Sequence, residues 1–225
     1  MAAASGKEPF ASPDWIFESK VDGYRAITVI DSIGKARLWS RNHLPLEPKF
    51  PTIQETVNEL KLRSTVQDGE IVALDKDGVA RFQLLQQWQK RPTAPVVLYL
   101  FDLLRSDGRD ITGKTVLQRR DRLEQIINSV SGIQVGGYVE NRGIDLYRLV
   151  KGKGFEGIFA KRKSSTYRPG KRSPDWLKIK ARPQQEFVVC GFTEGKRQSQ
   201  TFWSVAIGRI PKRTTALFRS LRYRV

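Results

Sequence analysis

The stretch Glu18-Ser19-Lys20-Val21-Asp22-Gly23-Tyr24-Arg25 carries the strongest chemical signal in the chain. A protonated lysine is a poor nucleophile, and desolvation or neighbouring cations free its amine by lowering the pKa. Asp22-Gly23 supplies a tight turn that can hold Lys20 at a strand end facing a pocket. Arg25 then lies within reach of a phosphate or another polar group of a nucleic acid. Alone, a K-x-D-G-x-R string can also be an ordinary turn. Four further blocks join it. Asp68-Gly69-Glu70-Ile71-Val72 places an acid at the start of a strand, and Phe101-Asp102-Leu103-Leu104 places an aromatic at the exit of an apolar one. Glu156-Gly157-Ile158-Phe159-Ala160-Lys161-Arg162 has an acid before a strand and a basic pair after it. Trp176-Leu177-Lys178-Ile179-Lys180 alternates so that both lysines share one face. Together these suit nucleotide transfer: carboxylates for a divalent metal, cations for phosphate, an aromatic face for a base, and a lysine to attack the α-phosphorus. Such chemistry rests on positioning and electrostatics more than on acid-base groups.

Composition agrees. A single cysteine, Cys190, excludes an intrachain disulfide and a CxxC zinc site, and its apolar neighbours mark it as a core thiol. A single histidine, His43, argues against a Ser-His-Asp or histidine-rich metal mechanism. The formal net charge of +17 draws polyanions, nucleic acid foremost, although colloidal solubility alone could use it. The densest apolar run, Val96 to Leu104, is too short to span a bilayer, and Met1 to Phe10 lacks a signal-peptide core. No membrane association and a cytoplasmic location are expected.

The elements that must position these residues read as strands in runs with helices between them. Trp15 to Lys20, Arg25 to Asp31 and Ala36 to Ser40 alternate apolar and polar residues. Gly69 to Asp75, Val96 to Leu104, Ile133 to Glu140, Gly157 to Arg162 and Trp176 to Ala181 read as further strands. Helical spacing follows Pro51 and recurs over Phe82 to Lys90, Val116 to Val130 and Asp145 to Lys151. The pattern predicts α+β with largely antiparallel sheets. A boundary is expected at Ala181 to Gln185, followed by strands at Glu186 to Thr193 and Phe202 to Ile210.

These blocks, in this order, resemble the motifs of the covalent nucleotidyltransferase superfamily: ATP-dependent DNA ligases, RNA ligases and mRNA-capping guanylyltransferases. From Trp15 to Val188 the chain is most similar to the ligase domain of bacterial DNA ligases of the non-homologous end-joining type. Ser40-Arg41-Asn42 and Asp68 to Asp75 are especially telling, with the blocks at 156–162 and 176–180. The resemblance implies an ATP-grasp-like adenylation domain over residues 1–183 and a truncated OB-fold start with a basic tail over 184–225. It implies that Lys20 attacks the α-phosphate of ATP and carries AMP as a phosphoramidate. Glu18 would then sit by the adenine with Phe101 stacked on it, and Lys178 and Lys180 would contact the α-phosphate. Glu70 would touch the ribose or organise the metal, and Glu156 would help bind Mg2+ or Mn2+. Arg25 and Arg41 would lie near the sugar or the nick phosphate. AMP would pass to a DNA 5′-phosphate, and a 3′-hydroxyl would displace it.

The implied partners are double-stranded DNA with nicks or breaks and a Ku-type end-binding protein, with a monomeric, nucleoid-associated bacterial enzyme. Family ligases end their OB-fold domain in a basic motif that orients pyrophosphate, and Arg209 to Val225 does not match it. Lysine adenylation is the step that this departure touches. An RNA ligase, a capping-type enzyme and a catalytically impaired nucleic-acid-binding remnant are the competing readings. Phe101 is otherwise an ordinary core aromatic, Arg41 could line a turn, and Lys161-Arg162 reads as an exposed basic pair.

Overall fold

In a computed structural model of the chain, the described residues are 1–225 apart from 89, 128–129, 182–186, 194–203 and 210–225. They fall into two units, Met1–Arg182 and Pro183–Val225. The first unit contains β1 (Ala2–Ser5), β2 (Trp15–Lys20), β3 (Tyr24–Ile30), β4 (Ala36–Ser40), α1 (Pro51–Glu59), β5 (Thr65–Ala73), α2 (Phe82–Gln87) and β6 (Val96–Ser106). It continues with β7 (Arg109–Asp110), α3 (Val116–Ile126), β8 (Ile133–Val135), β9 (Tyr138–Glu140), α4 (Gly143–Gly152), β10 (Gly157–Arg162) and β11 (Arg172–Lys180). The second unit contains β12 (Phe187–Thr193) and β13 (Ser204–Arg209), an antiparallel pair with a register shift after Val189. The expected tail from Ile210 onward lies outside the described residues.

Two sheets build the first unit. One runs β1-β11-β10-β2-β9; the other runs β4-β3-β5-β6-β7, with β8 beside β6. Only β1–β11 and β6–β8 are parallel among these pairs, so the α+β reading with largely antiparallel sheets holds. Strand alternation decides which face each residue takes. In β2, Trp15 and Phe17 pack with Val150 of α4, Ile158, Ala160 and Ile179 on one face, while Ile16 turns to the other. The second sheet buries Ala26, Leu38, Ile71, Leu98 and Leu100 with Phe50, Ile53 and Val57 from α1 and the residue before it. Ile16, Val116 and Trp176 join Phe101, Leu104 and Phe159 in a core between the two sheets. Each fully buried large apolar side chain contributes about 1.5–3 kcal/mol of transfer free energy.

Local signals set the element ends. Pro51 occupies the first turn of α1, where its missing N–H costs nothing. Thr115 and Gln118 form a reciprocal capping box at the start of α3. Ile127 is extended, so α3 stops before the expected Val130, and α2 stops at Gln87 rather than Lys90. The expected strand Ile133 to Glu140 is two strands in two sheets: β8 joins β6, and β9 joins β2. The break falls at Gly136, where a Cβ would lie 2.6 Å from the Tyr99 ring. Only a residue without a side chain lets the backbone cross there. β1 had no counterpart in the sequence pattern.

Gly157 begins β10 with φ 150°, and a Cβ on it would meet the Ile179 carbonyl oxygen at 2.1 Å. It pairs with Lys20 on one side and Lys180 on the other. Gly157→Ala should therefore push β10 off β11 and lower the unfolding free energy by about 1–3 kcal/mol. Urea denaturation checks this; an unchanged midpoint would show that the close approach carries no cost.

Candidate active site

Three rows of side chains cross β2, β10 and β11. Ile16 stands opposite Lys161, and Lys161 opposite Trp176. Glu18 faces Phe159, which faces Lys178. Lys20 faces Gly157, which faces Lys180. Directly paired residues on one face have Cβ atoms about 4.5–5.5 Å apart, so each row is a contiguous strip. From the other sheet, Arg25 of β3 pairs with Glu70 of β5, and Phe101 comes from β6.

These strips bound an open cleft of about 200 Å3. Glu18, Lys20, Arg25, Arg41, Glu70, Phe101 and Lys178, all singled out by the sequence, line it. Met1, Ala2, Ala3, Phe159, Lys161, Arg172 and Trp176 complete the lining. Lys180 continues the Lys20 row but is exposed and does not line the cleft. Glu156 does not line it either, yet its carboxylate is ion-paired with Lys20 Nζ. Phe159, Arg172 and Met1 to Ala3 line the cleft without a role assigned from the sequence, and of these Phe159 was the legible one. Its period-two spacing from Lys161 within one block was the available signal.

Lys161 departs most from expectation. It is 1 % exposed rather than half of an exposed basic pair. Its Nζ sits 4.9 Å from the Phe101 ring centroid and 4.4 Å from that of Trp176, and pairs with Glu18 at 2.7 Å. Burial lowers its pKa, with Glu18 and Asp102 opposing the shift. Arg162, the other half of the pair, is exposed as expected and lies 4.9 Å from the Trp15 ring centroid.

Arg25 is pinned rather than free to swing. It makes a two-pronged pair with the fully buried Asp68, with Nε–Oδ1 at 2.9 Å and Nη2–Oδ2 at 2.5 Å. The Tyr167 hydroxyl donates to Asp68 Oδ2 at 2.7 Å and accepts from Arg25 Nη2 at 3.3 Å. Burial, reinforced by the negative Asp68, raises the pKa of Tyr167, so its hydroxyl keeps the proton it donates.

Glu70 Oε1 accepts the Gly23 N–H at 2.9 Å. Burial raises its pKa from 4.5 to about 7, against the pull of Lys20, the Gly23 N–H and Arg25. The folded protein thus keeps a proton that the unfolded chain has released. Ionising Glu70 costs stability, and the loss accrues as pH rises from 4.5 to about 7. Glu70→Gln keeps the acceptor for Gly23 and should remove that loss, up to about 3 kcal/mol across this range. Urea unfolding of both proteins in chelator at a series of pH values checks it; parallel pH profiles would refute it.

The cleft therefore gathers a strand-end amine paired with Glu156, the carboxylates of Glu18 and Glu70, several cations and three aromatic side chains, a set suited to activating a nucleotide phosphate. The family model for the ATP dependent DNA ligase domain matches residues 3–180. The multifunctional non-homologous end joining protein LigD of Pseudomonas aeruginosa is 33% identical over 198 residues, covering 87% of this chain and 23% of its own length. The corresponding Mycobacterium tuberculosis DNA repair protein LigD is 36% identical over 182 residues, covering 81% of this chain and 24% of its own. The chain spans about a quarter of the length of these curated relatives. Among solved structures, the ligase domain from M. tuberculosis LigD superposes with a TM-score of 0.73 at 32% identity, covering 96% of this chain and 70% of that one. Mycobacterial DNA ligase D complexed with ATP and MES gives a TM-score of 0.73 at 31% identity, with 92% and 66% covered. With the family model spanning most of its length and the same fold in its structural relatives, this chain belongs to the ATP-dependent DNA ligase domain family.

Proposed function

We propose that this chain is the adenylation core of a DNA ligase acting in bacterial end joining, with Lys20 as its covalent nucleophile. The observation that carries the reading is the setting of Lys20. Its amine ends β2 beside the Glu156 carboxylate, in a cleft shared with Glu70 and lined by Arg25, Arg41 and Lys178. Lys20 Nζ forms a bond to the α-phosphorus of ATP, pyrophosphate leaves with the electron pair of the breaking P–O bond, and the amine proton passes to a nearby base. Glu156 is within reach to take that proton. AMP then moves from Lys20 to a DNA 5′-phosphate, and a 3′-hydroxyl displaces it to close the strand.

Phe101, with Phe159 across the cleft, offers apolar faces for the adenine, and Glu18 stands beside its edge. Lys178 and Lys180 serve the α-phosphate, and Arg25 and Arg41 serve the sugar or the nick phosphate. Glu70 and Glu156 are hard oxygen donors near Lys20: Glu156 is ion-paired with its Nζ, and Glu70 lines the same cleft. Among the described residues no cluster of three or more His, Cys, Asp or Glu side chains is gathered, so Glu70 and Glu156 alone are proposed as the protein's carboxylate donors. Mg2+ or Mn2+, when bound there, would neutralise charge on the triphosphate.

The net charge of +17 supports nicked or broken double-stranded DNA as substrate. No helix among the described residues is long and apolar enough to cross a membrane. We assign residues 1–183 to the adenylation domain and 184–225 to the start of an OB-fold. We further propose a monomer working in the cytoplasm near the nucleoid, with a Ku-type protein delivering ends; the end-joining role named for the LigD relatives supports this reading. The test is sealing of a singly nicked duplex with ATP and Mg2+, beside the same nick already adenylated. Closure of both substrates supports the reading. Closure of neither, with DNA binding intact, replaces it with a basic binding protein.

A further inference from the structure

Arg120 lies outside the cleft, fully buried on α3, yet it is joined to the cleft wall. Its Nη1 donates to Glu18 Oε1 at 2.8 Å and to the Phe101 carbonyl oxygen at 3.4 Å. Its Nη2 donates to the Gly136 carbonyl oxygen, and its guanidinium lies 4.8 Å from the Tyr138 ring centroid. From the opposite side, Lys161 Nζ donates to Glu18 Oε1 at 2.9 Å and to the same Phe101 carbonyl at 3.4 Å. Glu18 is therefore held between two buried cations from different elements, α3 and β10, and both are tied to the backbone of Phe101.

We propose that Arg120 is a positioning residue for nucleobase selection, holding Glu18 and Lys161 as an ordered acceptor and donor pair facing the base. This rests on the reading above, in which the base lies against Phe101 with Glu18 at its edge. The edge of adenine offers an amino donor beside a ring-nitrogen acceptor, whereas guanine offers a carbonyl acceptor beside an N–H donor. A carboxylate next to an ammonium complements the first pattern and opposes the second.

The order of that pair depends on Arg120. A lysine ammonium is a point charge on a flexible stem and follows whatever carboxylate is near, while a planar guanidinium fixes its partner's orientation. Lys161 is already paired with Glu18 at 2.7 Å, so without Arg120 the carboxylate keeps a charged partner but loses the rigid group that fixes its orientation toward the cleft. The wall stays in place and its pattern is lost.

Dissociation constants for ATP and for GTP, measured on the full chain and on Arg120→Leu and Arg120→Lys, test this. The expected result is a wild-type preference for ATP that falls about tenfold in Arg120→Leu, through weaker ATP binding, and recovers partly in Arg120→Lys. An unchanged ATP-to-GTP ratio in both variants, whatever happens to melting temperature, would reduce Arg120 to a structural support and overturn the proposal. If Arg120→Leu fails to fold, the ratio in Arg120→Lys decides by the same criterion. A wild-type chain that binds neither nucleotide removes the cleft reading itself along with this one. ATP selectivity that survives both substitutions removes only the role of Arg120.

Discussion

Lys20→Ala takes up no label from α-labelled ATP, whereas the wild-type chain carries it on a denaturing gel as a covalent adduct. The expected loss is complete, comparable to the roughly 10^6-fold fall seen when another enzyme loses its covalent nucleophile. Removing the amine also strips Glu156 of its ion-pair partner, in a cleft that already holds Glu70. The Lys20 and Glu156 side chains are 14% and 11% exposed, so some of the lost compensation is recovered from water. Lys20→Arg separates chemistry from support. A guanidinium keeps the charge beside Glu156, but it stays protonated and is no nucleophile. Label should be absent from Lys20→Arg as well, while its melting temperature stays close to wild type. Both variants should still close a nick that is already adenylated, because that step needs no free amine. Label on Lys20→Ala would move the nucleophile to another lysine and end the assignment.

The largest stability effect is expected behind the cleft, at the Arg119–Asp102 pair. Both side chains are fully buried, with Nε–Oδ1 at 2.7 Å and Nη2–Oδ2 at 2.9 Å. Arg119 Nη1 donates to the Lys114 carbonyl oxygen at 2.6 Å and to that of Ser165 at 3.2 Å, and the Leu103 N–H donates to Asp102 Oδ1 at 2.9 Å. The pair thus ties α3 to β6 one residue from Phe101, and to the loop before β11. Asp102→Ala leaves a buried guanidinium without its counter-charge and should cost about 3–5 kcal/mol. For a domain of this size that is a fall in melting temperature of roughly 6–20 °C. Replacing both partners with apolar residues, as in Asp102→Leu with Arg119→Met, removes both charges together. It should cost less than either single truncation. Urea unfolding of the wild type, Asp102→Leu, Arg119→Met and the double variant measures the coupling; strictly additive losses would mean the two groups do not act as a pair.

Much of the site was written in local sequence. The K-x-D-G-x-R block named Lys20, and period-two alternation alone put Lys178 and Lys180 on one face of their strand. Alternation is a property of the single strand, so it survives without knowledge of the partners. It cannot say which face is buried or what stands opposite. Lys161 shows the difference. Its sequence is that of an exposed basic pair, and only the stacking of the second sheet and α3 over β10 buries it against Glu18, Phe101 and Trp176. The two arginines of α3 follow the same logic. Charged residues between apolar ones read as a solvated helix face, yet Arg119 and Arg120 are buried because Asp102 and Glu18 await them on strands distant in the chain. Ile133 to Glu140 failed for a related reason. The run has strand composition throughout, and the switch between sheets at Gly136 is imposed by the ring of Tyr99, a residue far away in sequence. The sequence by itself therefore determined the reactive groups, their order and the faces they share within each strand. Tertiary structure alone decided which of those faces close into a cleft and which charges are buried behind it, because both depend on non-local pairing that no local pattern encodes.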